Sequence, residues 1–456
     1  MNQAFDPLPV GWPIDYAEPA PTEPIEDARG AVEYALAHPL SSLPLTDLSS
    51  AGTRVTVVVA IAGHERDAAN AVMAPALLRE LELAGVRDED VTILIPNVLR
   101  QPSTPAQKRH SLGQDILDRY TVVDHDPTDR GVLNELGTYQ GVSLQINYHA
   151  VDADLLVAID VVEPHYYAGY SGGNKTVSVG CVGEVTLKEA RAVRFLEDTV
   201  IHPAYTPDNL SVMVEREIGR RAGLMFVLNA VVDVEGRMAS VSAGAPNAVH
   251  DMLIRFARGI YEVDVPRSDY NVIIASDGKS IASDGGSRMP TLYHGSRAAI
   301  AIGLSLERVL LKGGVIILPV YCGGDSHMDA REQHFYEALL SANDMDTVMQ
   351  QIAHRGVRSG DQRAYMLAHT IQVQGYHVIV VGADCGDLAR DCGLIPAHNM
   401  LEAANLAETI VGKRPRVLML PHAAQFAPIN RWRPADVTPQ THEEDGIYIR
   451  SIISDN

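Results

Sequence analysis

The sequence predicts an α/β protein built as two doubly wound α/β domains, with the active site in the cleft between them. Three observations carry that expectation. Short runs of β-branched and aliphatic residues alternate with longer amphipathic stretches, the order of parallel strands joined by helical crossovers. Glycine-rich loops follow several of the apolar runs, at the strand end where α/β sheets hold ligands. The alternation also starts afresh after Pro266, in a chain of 456 residues that is too long for one ordinary core. The expected domains are therefore residues 1–265 and 266–456.

Residues 1–25 carry several prolines and few periodic apolar positions, the pattern of an extended arm lying on the body of the protein. Residues 26–37 read as a helix. Residues 54–61 (RVTVVVAI) form a strand, followed by the loop Gly63-His64-Glu65-Arg66-Asp67 and a helix over 71–84. The unit repeats with strand 91–96, loop 97–101 and a helix over 105–118, whose start is marked by Ser103-Thr104-Pro105. Shorter strands at 122–123 and 144–148 precede the apolar run 153–162 (ADLLVAIDVV), a buried strand. Helix 184–198, strand 225–232 and helix 247–261 complete the first domain.

The second domain takes strand 271–275, helix 291–311, strand 315–320, helices through 330–374, strand 377–381, helix 400–411 and strand 417–420. Its loop 276–289 carries Asp277, Lys279, Asp284 and Arg288, and in this expectation faces the first domain.

The apolar fraction of 46% is ample for burial, and the formal charge of −21 argues against nucleic acid or an anionic membrane as partner. A small anionic substrate would need a local basic pocket. No apolar run approaches the roughly 18 residues of a membrane span, and the acidic, proline-rich N-terminus is unlike a signal peptide, so a cytoplasmic protein is expected. Cys181, Cys322, Cys385 and Cys392 lack CxxC spacing and read as reduced, buried thiols.

The chemistry concentrates in residues 163–180, EPHYYAGYSGGNKTVSVG. His165 is a candidate acid or base and Lys175 a candidate nucleophile or covalent anchor. Ser171, Gly172 and Gly173 can turn backbone N–H groups toward an anion. Gly169-Tyr170-Ser171-Gly172-Gly173 formally matches a nucleophile elbow, but about ten residues separate the strand from Ser171. Gly172-Gly173-Asn174-Lys175-Thr176 falls short of a P-loop, with Asn174 in place of its last glycine. Loops around Arg66, Arg100 and His165 are expected to converge on one edge of the same sheet.

The segment Pro164-His165-Tyr166-Tyr167-Ala168-Gly169-Tyr170-Ser171-Gly172-Gly173-Asn174-Lys175 resembles the signature of the nickel-dependent lactate racemase superfamily: Pro-His, two aromatics, Ala-Gly-aromatic-Ser-Gly-Gly, a variable residue and lysine. The resemblance runs from about residue 26 to beyond residue 320. It implies two domains, a nickel-pincer nucleotide joined to Lys175 and held by Ser171, Gly172 and Gly173, and racemisation or epimerisation of a small anionic α-hydroxy acid. In that chemistry the substrate Cα gives a hydride to the cofactor, while a histidine such as His165 takes the hydroxyl proton. Arg66 and Arg100, in the first and second loops, would hold the carboxylate.

Departures from the family pattern are as informative. The first loop keeps only Arg66 of Asp-x-Thr-Arg-Pro. The second reads Asn97-Val98-Leu99-Arg100 instead of Gly-Thr-His-Arg, and Leu99 cannot move a proton. The family's nickel-binding histidine falls near Arg191, and a guanidinium keeps its proton. The family's Tyr-Gln-x-x-Lys becomes Tyr293-His294-Gly295-Ser296-Arg297, so Tyr293, His294 and Arg297 are candidate substrate contacts. His64 is the candidate second base and His202 the candidate nickel ligand, with His110 and His149 as weaker alternatives. Arg191 and Arg194 suit a phosphate or dicarboxylate. Two other functions stay open on this scaffold: a nickel-independent enzyme and a non-catalytic carboxylate-binding protein.

Overall fold

The computed structural model describes residues 11–429, except 20, 62–63, 99–101, 166–168, 202–208, 234, 276–279, 282–286, 289, 306–307, 322–327, 383–385, 422 and 424–426. Within helices and strands it leaves out the side chains of 64–66, 199–201, 280–281, 287–288 and 427–429. The chain packs as two compact units. Among the described residues, one comprises those within 21–190 and 204–260, and the other those within 11–19, 191–201 and 261–429.

Twelve strands make the two main sheets: β1 (Ile14–Tyr16), β2 (Val55–Val59), β3 (Val91–Ile95), β4 (Thr121–Asp124), β5 (Leu155–Val161), β6 (Leu224–Val232), β7 (Met238–Gly244), β8 (Tyr270–Ala275), β9 (Leu310–Pro319), β10 (His377–Val381), β11 (Ile395–Ala397) and β12 (Val417–Leu420). The helices that matter below are α1 (His64–Leu83), α2 (Lys175–Ser178), α3 (Pro246–Tyr261), α4 (Leu292–Gly303), α5 (Ala330–Leu340) and α6 (Asp361–Gln372).

The first unit's sheet runs β7-β6-β5-β2-β3-β4. All its pairings are parallel except β6 with β7. Every residue of β2 and β5 is buried, as continuous apolar strands must be when both sheet faces are covered. Met73, Leu77 and Leu81 of α1, one stripe at helical spacing, pack with Val57, Ile93 and Val157 in a common core. Each such side chain contributes about 1.5–3 kcal/mol on burial.

The order has a consequence for function. From β2 the chain moves outward through β3 to β4, then returns to lay β5 on the other side of β2. The sheet reverses direction between β2 and β5, and in doubly wound sheets ligands bind outside the strand ends at that point. The second unit's sheet, β1-β12-β8-β9-β10-β11, is parallel throughout and reverses in the same way between β8 and β12.

Several elements differ from the sequence expectation. The helix expected from residue 71 begins at His64, so residues 64–67 lie in its first turn instead of a loop. Gly113, at φ 84°, divides the helix expected over 105–118 into Pro105–Leu112 and Gln114–Arg119. The stretch 184–198 breaks at residues 190–192 into Glu184–Glu189 and Val193–Ile201, and α4 stops at Gly303 well before residue 311. The N-terminal arm contributes an edge strand, Ile14–Tyr16, registered on Val417–Met419. No described helix is long and apolar enough to cross a membrane.

Candidate functional site

At the end of β5 the chain crosses residues 162–174 and enters α2 at Lys175. His165 is half-buried on a two-residue strand, Pro164–His165, paired with Gly169–Tyr170. Lys175 is half-buried as the first residue of α2, and its Nζ is enclosed. The Ser171 hydroxyl donates to the Val161 carbonyl at 2.6 Å and accepts from the Glu163 N–H at 3.0 Å. It ties the loop back onto the strand, which is a fastening role and not that of a nucleophile. The Ser171 N–H donates to the Glu163 carbonyl at 2.9 Å and that of Gly173 to Asn229 Oδ1 at 2.8 Å. Those two N–H groups, expected to face an anion, are instead bonded inside the protein.

The glycines are required by space and by backbone. Gly172 and Gly173 sit at φ 81° and 54°, where L side chains are strained. A Cβ at Gly172 would lie 2.8 Å from Val162 Cγ2, and one at Gly173 would lie 2.6 Å from His250 Cγ.

Four polar residues that the sequence reading passed over hold this loop. Asp160 accepts from the Thr176 hydroxyl at 2.9 Å and from the Val161 N–H at 2.8 Å. Asn229 stands opposite Asp160 in the β5–β6 register and grips Gly173. From α3, Asn247 accepts from Asn174 Nδ2 at 2.7 Å, and His250 Nε2 donates to the Ser171 carbonyl at 2.8 Å. Enclosure by the protein pushes the His250 pKa down to about 4, with smaller lowering by Arg216 and Lys175, so its imidazole is neutral near pH 7. Asp160 and Asn229 had a legible signal: each is a lone polar residue inside an otherwise apolar strand. Asn247 and His250, three apart on one helix, did not.

The neighbouring loops leave the same sheet edge, because β3, β2 and β5 are adjacent and parallel. The N–H of Asn97, at the head of the second loop, donates to the Gly180 carbonyl at 2.8 Å. Gly180 packs so closely that a Cβ would lie 2.3 Å from Pro96 Cβ. His64 and Arg66 lie in the first turn of α1, with side chains outside the description. Leu99, Arg100 and His202 fall outside the described residues, as do Cys322 and Cys385. Cys181 and Cys392 are buried free thiols. His110 lies 3.7 Å from Asp67 on an exposed helix, and His149 precedes β5, its pKa lowered by burial. Arg191 and Arg194 belong to the second unit. Among the described residues, no three His, Cys, Asp or Glu side chains converge as a metal site.

Tyr293, His294 and Arg297 occupy the first turns of α4, in the second unit. Tyr293 is buried; the Arg363 guanidinium carbon stands 3.9 Å from its ring centroid, and Arg363 Nη1 donates to its carbonyl at 2.7 Å. His294 is open to solvent on one side. Enclosure on its other sides, with the guanidiniums of Arg363, Arg331 and Arg297, lowers its pKa to about 4 against the opposing Asp329.

Residues 6–202 match the family model of the lactate racemase N-terminal domain. Lactate racemase from Thermoanaerobacterium thermosaccharolyticum is 26% identical over 396 residues, 86% of this chain and 88% of that protein. Lactate racemase from Lactiplantibacillus plantarum is 25% identical over the same shares of the two chains. The fold is similar to that of the Thermoanaerobacterium lactate racemase apoprotein, with a TM-score of 0.75 at 24% identity, covering 92% of this chain and 95% of that one. A Thermotoga maritima protein is similar at a TM-score of 0.63 and 13% identity, over 89% of this chain and 98% of that one.

Proposed function

Because this chain is a divergent member of the lactate racemase family, we propose that it racemises or epimerises an α-hydroxy acid, using a nickel-pincer nucleotide tethered to Lys175. The observation that carries this reading is Lys175 itself: an enclosed amine at the first residue of a helix, on a loop fastened beside the reversal point of a doubly wound sheet. That enclosure fits a covalently held group shielded from water. Arg191 does not fit as a nickel ligand, since a guanidinium keeps its proton. When bound, the cofactor supplies an acceptor for the substrate's Cα hydride, which no side chain provides.

The chain's own residues do the rest. His165, on the same loop as Lys175, takes the substrate hydroxyl proton as a neutral imidazole and returns it. Arg66 and Arg100 orient the carboxylate, with Tyr293, His294 and Arg297 as further substrate contacts. Ser171, Gly172 and Gly173 shape the loop around the tether. His64 and His202 are the candidate replacements for the second base and the metal ligand. A second reading, a carboxylate-binding protein on this scaffold without the nickel step, is favoured by Leu99 in place of a base.

The test is intact-mass and metal analysis of the protein produced alongside enzymes that assemble the cofactor. A covalent adduct and nickel, both lost in Lys175→Ala, are expected. An unmodified mass in the unsubstituted protein removes the tethered-cofactor reading.

A further inference from the structure

Ser178 ends α2 with a hydroxyl that the rest of the protein does not engage. The residue is 3% exposed, and among the described residues its Oγ meets no hydrogen-bond partner. A helical serine ordinarily turns its hydroxyl to the carbonyl one turn back. Here that carbonyl, of Asn174, already accepts from the N–H groups of Val177 at 3.1 Å and Ser178 at 2.8 Å. An enclosed hydroxyl without a partner destabilises the fold, and an alanine would fill nearly the same space without that cost. Packing alone therefore leaves the hydroxyl unexplained, and the explanation has to come from something that bonds it.

The anchoring of α2 shows which way Ser178 faces. Helical bonding continues through the N–H groups of Val179 to Lys175 and Cys181 to Val177, each at 3.0 Å. At 3.6 residues per turn, Ser178 lies about 160° around the axis from Thr176. Thr176 is the residue that ties α2 to the sheet, through Asp160 at 2.9 Å, so Ser178 faces away from β5. Asn174 and Lys175, four and three residues earlier, flank it at the spacings that make side chains neighbours, with roughly 5–6 Å between Cβ atoms. Asn174 is committed elsewhere: its Nδ2 donates to Asn247, and its Oδ1 leaves no room for a Cβ at Gly219 of the helix Leu210–Ala222. The other neighbour of the Ser178 hydroxyl is the Lys175 side chain, whose Nζ is enclosed as well.

We propose that Ser178 contacts the group carried by Lys175, its hydroxyl donating to an acceptor atom of that group beside the link to Nζ. An enclosed donor bonds strongly there, because the surroundings are of low dielectric and no water competes. The family signature ends at Lys175 and Ser178 lies beyond it, so the contact belongs to this chain's own sequence. The inference rests on the tethered-cofactor reading proposed above and adds to it a residue that orients the tethered group.

The test uses the full chain, unsubstituted and as Ser178→Ala, each produced with and without the enzymes that assemble the cofactor. Intact mass reads the occupancy of Lys175, and thermal unfolding reads stability. Without the cofactor, Ser178→Ala is expected to unfold at the same temperature as the unsubstituted protein or above it, since the hydroxyl removed had no partner. With the cofactor, the rise in midpoint on loading should be smaller in Ser178→Ala by about 2 °C, the size set by one hydrogen bond of ordinary net strength, or Ser178→Ala should fail to load. A lower midpoint of Ser178→Ala without the cofactor would give the hydroxyl a structural role and overturn the inference. A full load with an unaltered rise in Ser178→Ala overturns it too, and leaves the tether on Lys175 standing. No adduct in the unsubstituted protein removes the tethered-cofactor reading, and the inference with it.

Discussion

The imidazole of His250 occupies the space a side chain at Gly173 would need: a Cβ there would fall 2.6 Å from His250 Cγ and 2.8 Å from its Nδ1. The same ring bonds the Ser171 carbonyl at 2.8 Å, so one residue of α3 fixes the loop by contact and by hydrogen bond. Lys175, two residues further on, inherits its position from this arrangement.

Gly173→Ala is therefore expected to destabilise the protein by about 1–3 kcal/mol from overpacking, plus roughly 1 kcal/mol for the positive φ. Gly113→Ala is the control, since Gly113 has the same sign of φ (84°) and nothing within 4 Å of its Cβ position. Urea unfolding of both variants separates the two contributions. Equal losses in the two would show that His250 yields to the added methyl.

The comparison of sequence with structure turns on such contacts. The strands were legible because Val55–Val59, Leu155–Val161 and Tyr270–Ala275 are buried apolar runs, and the glycines of the central loop marked the strand end. What holds the loop was not legible. His250 lies 79 residues from the Ser171 carbonyl it bonds, and nothing local to α3 records that pairing. The edge strand Ile14–Tyr16 was likewise hidden, because its partner is some four hundred residues away. The helix beginning at His64 was missed at its first turn, where residues 64–67 carry polar side chains without apolar periodicity.

Acid should weaken the fold through the histidines held neutral. His250 has a folded value of about 4, and His125 is likewise lowered by burial, both from an ordinary 6.5. The unfolded chain then binds protons first. The contribution to stability is complete above about pH 6.5 and declines as the pH falls toward the folded values, by at most about 1.4 kcal/mol per unit for each group. Denaturant midpoints at pH 7 and pH 5 measure this, and His250→Gln should flatten the slope. An unchanged slope would mean that His250 titrates normally in the folded protein.

Arg66→Ala is expected to weaken binding of a carboxylate substrate by roughly 1.5–3 kcal/mol, the size of a lost charge-assisted contact, while leaving the fold intact. Arg66 lies in the first turn of α1, directly after β2, the strand on one side of the sheet's reversal point. Titration of substrate against both proteins reads the change. Unchanged affinity removes Arg66 from the site.

Little or no interconversion of the lactate enantiomers is expected, even with cofactor supplied. Racemisation requires the hydride to return to the opposite face of a planar keto intermediate. That brings its oxygen to a second position, where another base must exchange the proton unless the intermediate rotates freely. The sequence resemblance puts Leu99 in the place of that second base. The same resemblance puts Arg191 in the place of a nickel-binding histidine. Of the substitutes within reach in sequence, His64 opens α1 at the same sheet edge as the His165 loop. Lactate racemisation at rates common for enzymes, about 1–1000 per second, would overturn this reading of Leu99 and Arg191. If His64→Ala then abolished the activity, His64 would be the second base. If it did not, a single base and a rotating intermediate would suffice.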